Sequence, residues 1–175
     1  MMKRRDQKNS SLSAGRHIAF TAVYIALAFI FSYVESLFPL SLGIPGVKLG
    51  LANIITVYVL YTTKSIRDTF IVSILRILLV ALTFGNLSVM LYSMAGGLLS
   101  TLVMCILYKV DIFGISGVSV AGGVSHNAGQ LIVAAIMLET REITYYIPVL
   151  LIAGVITGLI IGAIAGICVR RIHPH

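Results

Sequence analysis

Charged residues are scarce in this sequence: Asp, Glu, Lys and Arg make up only 11% of its 175 residues, against roughly 25% in typical soluble domains. Hydrophobic residues make up 58%. A soluble domain of this size could not bury so many apolar side chains, because much of a small domain lies at its surface. The composition therefore excludes a soluble enzyme, a nucleic-acid-binding module and a disordered chain, and it predicts a polytopic all-α membrane protein.

Cysteine is also rare, with only Cys105 and Cys168, and both lie in apolar stretches. No CxxC spacing occurs, so we interpret the two as small hydrophobic residues and predict no metal ligands. Ser125 and His126 are adjacent on a predicted helix and point in different directions, which argues against a Ser–His dyad. The sequence accordingly predicts no catalytic residues, no metal and no cofactor.

Six apolar segments are present, and about 20 apolar residues are needed to cross a bilayer. The second segment is short and begins near Lys48, and the third is interrupted by Arg76. We predict a basic tail at 1–16, a six-helix transmembrane domain at 17–169 and a short basic tail at 170–175. The predicted spans are 17–38, 47–62, 67–84, 87–108, 116–138 and 145–169.

The net charge of +7 is concentrated in the tails and in alternate loops, a pattern that indicates membrane orientation and not nucleic-acid binding. The tails, the 62–66 turn and the 109–115 loop carry most of the Lys and Arg residues. On the opposite side, the 139–142 loop has Arg141 flanked by Glu139 and Glu142. The asymmetry predicts a multi-pass protein of the bacterial cytoplasmic membrane, in contact with the lipid bilayer, with both termini in the cytoplasm.

Polar residues within the apolar spans are candidates for a binding site, because polar groups are costly at membrane depth. Arg76 lies deep in its span, and Glu35 lies near the outer end of span one. Cations without a matching buried acid favour an anionic ligand. We predict a cavity that opens toward the outer half of the membrane, lined by Lys48, Asn53, Arg76, Asn86, His126, Asn127 and Gln130.

Two of these assignments have structural alternatives. Lys48 could extend to the lipid headgroups. The group His126, Asn127 and Gln130, in which His126 and Gln130 share a helix face, could instead hold helices together by hydrogen bonds.

Glycines recur every fourth residue in the last span, at Gly154, Gly158, Gly162 and Gly166. The spacing places them on one helix face and predicts close packing against another helix. The pairs at 96–97 and 122–123 predict further close contacts in spans four and five.

Three motifs carry a family resemblance: PGVKLGLANI at 45–54, Arg76 followed by Gly85–Asn86, and GGVSHNAGQ at 122–130. On these motifs the chain resembles the Gx transporter family, also named the heptaprenyl diphosphate synthase component I family. That family is similar to the substrate-binding S components of energy-coupling-factor (ECF) transporters. The resemblance implies six helices, a ligand bound near the outer face, and partners comprising a transmembrane coupling subunit and two ATPases.

The resemblance also implies a docking surface for the coupling subunit, because S components often carry an AxxxA motif on their first helix. Ala22 and Ala26 match that spacing here. No GxxxxGK[ST] motif occurs, so ATP hydrolysis would come from a partner. The expected function is binding and translocation of a small anionic ligand, isoprenoid- or quinone-related, with the loop at 39–46 covering the site.

The alternative function is that of a noncatalytic membrane subunit, component I, of heptaprenyl diphosphate synthase in menaquinone synthesis. Prenyl diphosphate synthases hold Mg²⁺ and the substrate diphosphate with DDxxD motifs. The aspartates here are Asp6, Asp68 and Asp111, which are too scattered to form one. The chain itself is therefore not expected to be an enzyme, although it could accompany the catalytic subunit.

Overall fold

The computed structural model of the protein describes residues 2–37, 50–138 and 143–172, and within these ranges it is entirely helical. The all-α prediction is confirmed for this part of the chain. The six helices are α1 (Met2–Leu37), α2 (Leu51–Thr63), α3 (Ile66–Thr83), α4 (Leu87–Val110), α5 (Ile115–Leu138) and α6 (Ile143–Ile172).

Four helices in the described ranges are long and apolar enough to cross a membrane, which indicates a membrane-embedded protein. They are the segments Gly15–Leu37, Met90–Val110, Ile115–Met137 and Ile147–Ile172. α2 has only 13 residues and is shorter than a crossing requires. α3 has 18 residues and carries Arg67, Asp68 and Arg76. Four of the six predicted spans therefore reappear as candidate membrane spans.

The helix boundaries differ most from the prediction at the starts of α1 and α2. α1 begins at Met2, so residues 2–16, predicted as a separate basic tail, continue the first helix. This segment has no Pro, and its Lys, Arg and Gln residues favour helix. α2 begins at Leu51, whereas the span was predicted to begin at residue 47; residues 47–49 lie outside the described ranges.

The helices α3 to α6 pack in sequence order, each against the next, and α2 contacts α3 and α6. α1 packs on α2 and α3 alone among the described helices. Ala28 of α1, Ile55 and Val59 of α2, and Val72 of α3 form one apolar core. A second core joins α2, α4, α5 and α6 and includes Leu60, Met104, Val118 and Ile161.

One end of the bundle, which we name the basic end, carries Lys64, Arg67, Lys109, Arg170 and Arg171. At this end the His17 ring nitrogen Nε2 lies 3.2 Å from Asp68 Oδ1, which ties α1 to the first turn of α3. Ser65 begins α3, because its hydroxyl accepts a hydrogen bond from the Asp68 backbone N–H at 3.2 Å.

The predicted glycine face of α6 packs against α5. A Cβ at Gly154 would lie 2.9 Å from the carbonyl oxygen of Gly123, and one at Gly158 would lie 2.6 Å from Val120 Cα. Gly162 meets Ser116 in the same way, whereas a Cβ at Gly166 would meet no atom of another helix within 4 Å among the described residues. The packing prediction is confirmed for the first three glycines and is wrong for Gly166, since α6 extends beyond the start of α5 there.

Candidate functional site

Four helices, α1, α2, α3 and α5, bring polar groups to one level of the bundle. The paired glycines of α4 mark this level. Ile77, next to Arg76, fills the space beside Gly97, and His126 lies against Gly96. By residue count along the helices, this level lies about 15 Å from the basic end. We name the groups at this level the mid-bundle layer: Glu35, Gly50, Asn53, Arg76, His126 and Gln130.

The start of α2 belongs to the same level. The rings of Tyr61 in α2 and Tyr108 in α4 are in contact, with their centroids 5.0 Å apart. Gly50 and Gly97 each precede these tyrosines by eleven residues. α2 and α4 run in the same direction, because α3 is antiparallel to both. The short α2 therefore begins in the middle of the bundle and not at its surface.

The N-terminus of α2 is a source of positive potential, because the first N–H groups of a helix have no intrahelical acceptor and the helix dipole points the same way. Gly50 precedes the helix with φ +70°, a left-handed conformation that favours glycine. Gly50, the N-cap residue, has no side chain that could cap α2. Instead, Glu35 of α1 accepts the Gly50 N–H through Oε1, and Asn53 lies in the first turn.

Arg76 lies on the face of α3 that turns toward α1 and α2, one turn beyond the buried Val72. Its guanidinium interacts electrostatically with the Glu35 carboxylate. Its Nε atom is buried and has no hydrogen-bond partner among the described residues. A buried donor without an acceptor is unfavourable in a membrane protein, so Arg76 is suited to receive an acceptor from a ligand.

Glu35 departs from the sequence-based interpretation. It was expected near the outer surface, whereas in the structure its carboxylate accepts the Gly50 N–H at the α2 N-terminus and lies within electrostatic range of Arg76. Glu35 and Gly50 were not predicted as site residues. The signal available in the sequence was a glycine before an apolar segment too short to cross the membrane.

His126 and Gln130 lie on the predicted shared face of α5 and pack against α4. A Cβ at Gly96 would lie 3.1 Å from His126 Cε1 and 3.0 Å from Gln130 Cγ. The absence of a side chain at Gly96 is what admits these two residues between the helices. They provide hydrogen-bonding groups at the level of Arg76. These groups lie where α4 contacts α5, whereas Arg76 belongs to α3, which contacts α4 at Gly97.

Asn127 faces a different helix. Its side-chain amide Nδ2 donates to the Leu150 carbonyl oxygen of α6 at 2.6 Å. This bond fits the interhelical role that the sequence left open for the His126–Gln130 group. It uses the Asn127 donor for packing, so the amide is not directed at the mid-bundle layer.

Of the other two predicted residues only Asn86 is described, and it lies apart from this layer. Asn86 is exposed in the turn between α3 and α4, where its carbonyl accepts the Met90 N–H at 2.9 Å and so begins α4. Lys48 and the predicted covering loop at 39–46 lie outside the described residues.

We expect Asn127→Ala to lower the free energy of unfolding by about 1 kcal/mol, the size of an interhelical hydrogen bond in membrane proteins, and to leave ligand affinity unchanged. Unfolding in mixed detergent micelles measures the first effect. A large loss of ligand affinity with unchanged stability would instead return Asn127 to the binding site.

The mid-bundle layer offers groups that can bind an anion. Arg76 and the α2 N-terminus supply positive charge, partly offset by Glu35, while Asn53, His126 and Gln130 supply hydrogen-bonding groups. Within the described part of the chain, no group of three His, Cys, Asp or Glu residues is placed to hold a metal ion.

Among known protein families, the one described as heptaprenyl diphosphate synthase component I matches residues 24–168. The matched range begins within α1 and ends within α6, so it includes the whole mid-bundle layer and the packed glycines. Comparison with curated proteins and with solved structures gives no significant match.

Proposed function

We propose, from the premise that the chain belongs to the heptaprenyl diphosphate synthase component I family, that it binds a small anionic ligand within the membrane and translocates it. The ligand class is isoprenoid- or quinone-related. The observation that carries the proposal is the environment of Arg76. Its Nε lacks a hydrogen-bond partner among the described residues, and the residue lies level with the N-terminus of the short helix α2. Two positive groups at membrane depth favour an anion.

The proposed topology has six crossings with the basic end in the cytoplasm. The Lys and Arg residues collected at that end support this orientation. Both termini are then cytoplasmic, α3 crosses with Arg76 near the membrane centre, and α2 occupies the cytoplasmic half. The mid-bundle layer is reached from outside, past the turn that contains Asn86.

In the proposed binding step, the anionic group of the ligand binds Arg76 and takes the place of Glu35 at the Gly50 N–H. Lys48 adds a second cation, and Asn53, His126 and Gln130 orient the polar part of the ligand. Asn127 acts indirectly, since it joins α5 to α6. Movement of α1 would shift Glu35, because that residue is part of α1.

Translocation by analogy with ECF S components needs a membrane partner, and α1 offers the surface for it. Ala22 and Ala26 are exposed on α1, which contacts only α2 and α3 among the described helices. In a bilayer, small residues on a helix face permit close approach of another helix.

We expect Ala22→Leu combined with Ala26→Leu to abolish association with a coupling subunit and its ATPases while leaving the protein folded. The larger side chains block close helix contact. Affinity purification in mild detergent measures the association, and Ala135→Leu, on the exposed face of α5, is the control. Unchanged recovery of the partner with the double variant would contradict the docking assignment.

A second candidate function is that of a noncatalytic membrane subunit of heptaprenyl diphosphate synthase, and the description of the matched family favours it. This candidate predicts that the chain co-purifies with a soluble prenyl synthase, whereas the transport proposal predicts a coupling subunit and ATPases. Mass-spectrometric identification of proteins recovered with the full chain from its own membranes separates the two.

A further inference from the structure

Glu35 and an anion bound at Arg76 need the same partners. The Glu35 carboxylate accepts the Gly50 N–H and interacts electrostatically with Arg76. Two negative groups that share one site of low dielectric constant repel each other, so that one of them takes up a proton. Binding of an anion at this site therefore favours protonation of Glu35.

Helix α1 keeps Glu35 beside the site when its hydrogen bond is replaced. The rings of Phe29 and Tyr33 in α1 pack against the ring of Phe84, with centroids 5.7 and 5.5 Å apart. Ala28 is fully buried in the core that joins α1 to α2 and α3. Glu35 follows Tyr33 by two residues, so its backbone position is set while these contacts are intact.

The ionisable groups that face Glu35 come from α2 and α3, the helices that contact α1. Arg76 is the one near Glu35 among the described residues, while Lys48 lies outside them. One cation and one carboxylate balance each other, and a bound anion leaves an excess of negative charge. The other ionisable residues of these two helices lie nearer the basic end: Tyr58, Tyr61, Arg67 and Asp68.

Polar side chains that are buried in the described ranges all lie between the mid-bundle layer and the basic end. They are Thr56, Asp68, Thr69, Ser73, Ser100, Thr101 and Ser119. On α2 and α4 they follow Gly50 and Gly97, and on α3 and α5 they precede Arg76 and His126. Buried polar residues in a membrane protein are costly and mark paths for ions and protons.

Part of this set forms a row on α3, which we name the α3 polar stripe: Asp68, Thr69 and Ser73. Thr69, Ser73 and Arg76 lie at intervals of four and three residues, so they share a helix face. Thr101 of α4 donates its hydroxyl to Ser73 Oγ at 3.1 Å. The steps along the stripe are about 4.5–6 Å, a separation that one hydrogen-bonded water spans between two hydroxyl oxygens.

The α3 polar stripe reaches solvent at the basic end. The buried Asp68 carboxylate lies 3.2 Å from the His17 ring nitrogen Nε2, and the His17 side chain is 60% exposed. A proton on Asp68 can therefore pass to His17 and from there to water.

We propose that the protein binds one proton together with the anion and carries the two across the membrane together. The proton comes from the outer solution and forms an O–H bond with the Glu35 carboxylate as the anion takes the Gly50 N–H. It then leaves along the α3 polar stripe to Asp68, His17 and the cytoplasm, and Glu35 returns to Gly50 as a carboxylate. The presence of an anion at Arg76, and the orientation of the basic end, rest on the proposed function.

The first test is calorimetric titration of the full-length protein in detergent with isopentenyl diphosphate, in buffers of different ionisation enthalpy. The titrations are made between about pH 7.5 and 9, above the second ionisation of phosphate near pH 6. We expect the wild type to take up about one proton per anion, and its Kd to rise about tenfold per pH unit. Glu35→Gln, whose neutral amide resembles the protonated carboxyl group, should take up none and bind with a Kd independent of pH.

Asp111→Asn, which removes an exposed acid of the loop between α4 and α5, is the control and should behave as the wild type. Binding by the wild type without proton uptake, or equal uptake by the wild type and Glu35→Gln, would overturn the inference and leave the proposed function intact. No binding by the wild type would contradict the proposed function and the inference with it.

The second test follows the route of the proton in vesicles of phosphatidylcholine and phosphatidylglycerol that contain the full-length protein and a trapped pH indicator. External isopentenyl diphosphate should acidify the interior with the wild type and with Asp111→Asn. Asp68→Asn keeps the side-chain volume but does not ionise, and we expect it to lose the acidification while it retains proton uptake in the calorimeter. Equal acidification by Asp68→Asn and Asp111→Asn would overturn the route along α3.

Discussion

Arg76→Gln is expected to weaken binding of isopentenyl diphosphate, a small anionic isoprenoid, by about 100-fold. The substitution keeps a polar side chain of similar length but removes the positive charge that faces Glu35 and the α2 N-terminus. Hydrogen bonds to charged groups contribute about 1.5–3 kcal/mol each, and 1.4 kcal/mol corresponds to tenfold in affinity. Titration of the detergent-solubilised protein by calorimetry measures the effect.

Arg67→Gln is the matched control for this prediction. It makes the same change in the same helix, but at an exposed position of the basic end. We expect it to leave the Kd for isopentenyl diphosphate unchanged. Arg76→Lys should recover part of the affinity, because it restores the charge without the planar donor group. Equal weakening by both glutamine variants would show that total charge, and not the position of Arg76, governs binding.

Gly158→Ala is expected to lower the free energy of unfolding. A Cβ at this position would lie 2.6 Å from Val120 Cα and 2.9 Å from the Ser119 carbonyl oxygen. Both are backbone atoms, so relief requires α5 and α6 to separate. Overpacking of this kind costs about 1–3 kcal/mol, which exceeds the gain of about 1 kcal/mol that alanine brings over glycine within a helix. Unfolding in mixed detergent micelles measures the net loss.

Gly166→Ala makes the same change two turns further along α6, where no atom of another described helix lies within 4 Å of the added Cβ. Here the helix propensity of alanine acts alone, and we expect the stability to stay equal or to rise. The free energy of unfolding is thus expected to fall for Gly158→Ala and not for Gly166→Ala. This difference within one glycine series tests the packing directly. A destabilised Gly166→Ala, or a neutral Gly158→Ala, would contradict the helix contacts described above.

The sequence predicted those features that depend on local spacing. Residues four apart share a helix face, so the packing of Gly154, Gly158 and Gly162 and the common face of His126 and Gln130 could be anticipated. Apolar length alone identified the spans that contain α1, α4, α5 and α6.

Features that depend on contacts between distant segments could not be predicted in this way. Depth along a helix does not fix rotation about its axis, and so Asn127 was grouped with His126 although it bonds to α6. The length of α2 placed its N-terminus at the level of Arg76, and the reach of Glu35 to Gly50 follows from how α1 crosses α2. The contacts of Asn127 and Glu35 have no signature in the local sequence, whereas the shortness of α2 does.

The central claim is that the mid-bundle layer holds an anionic ligand through Arg76. Native mass spectrometry of the full chain, extracted gently from its own membranes, tests it most directly. The account predicts a retained anionic adduct with an isoprenoid- or quinone-related mass, present in the wild type and in Arg67→Gln and absent from Arg76→Gln. A wild-type protein without any adduct, or an adduct that persists in Arg76→Gln, would contradict it.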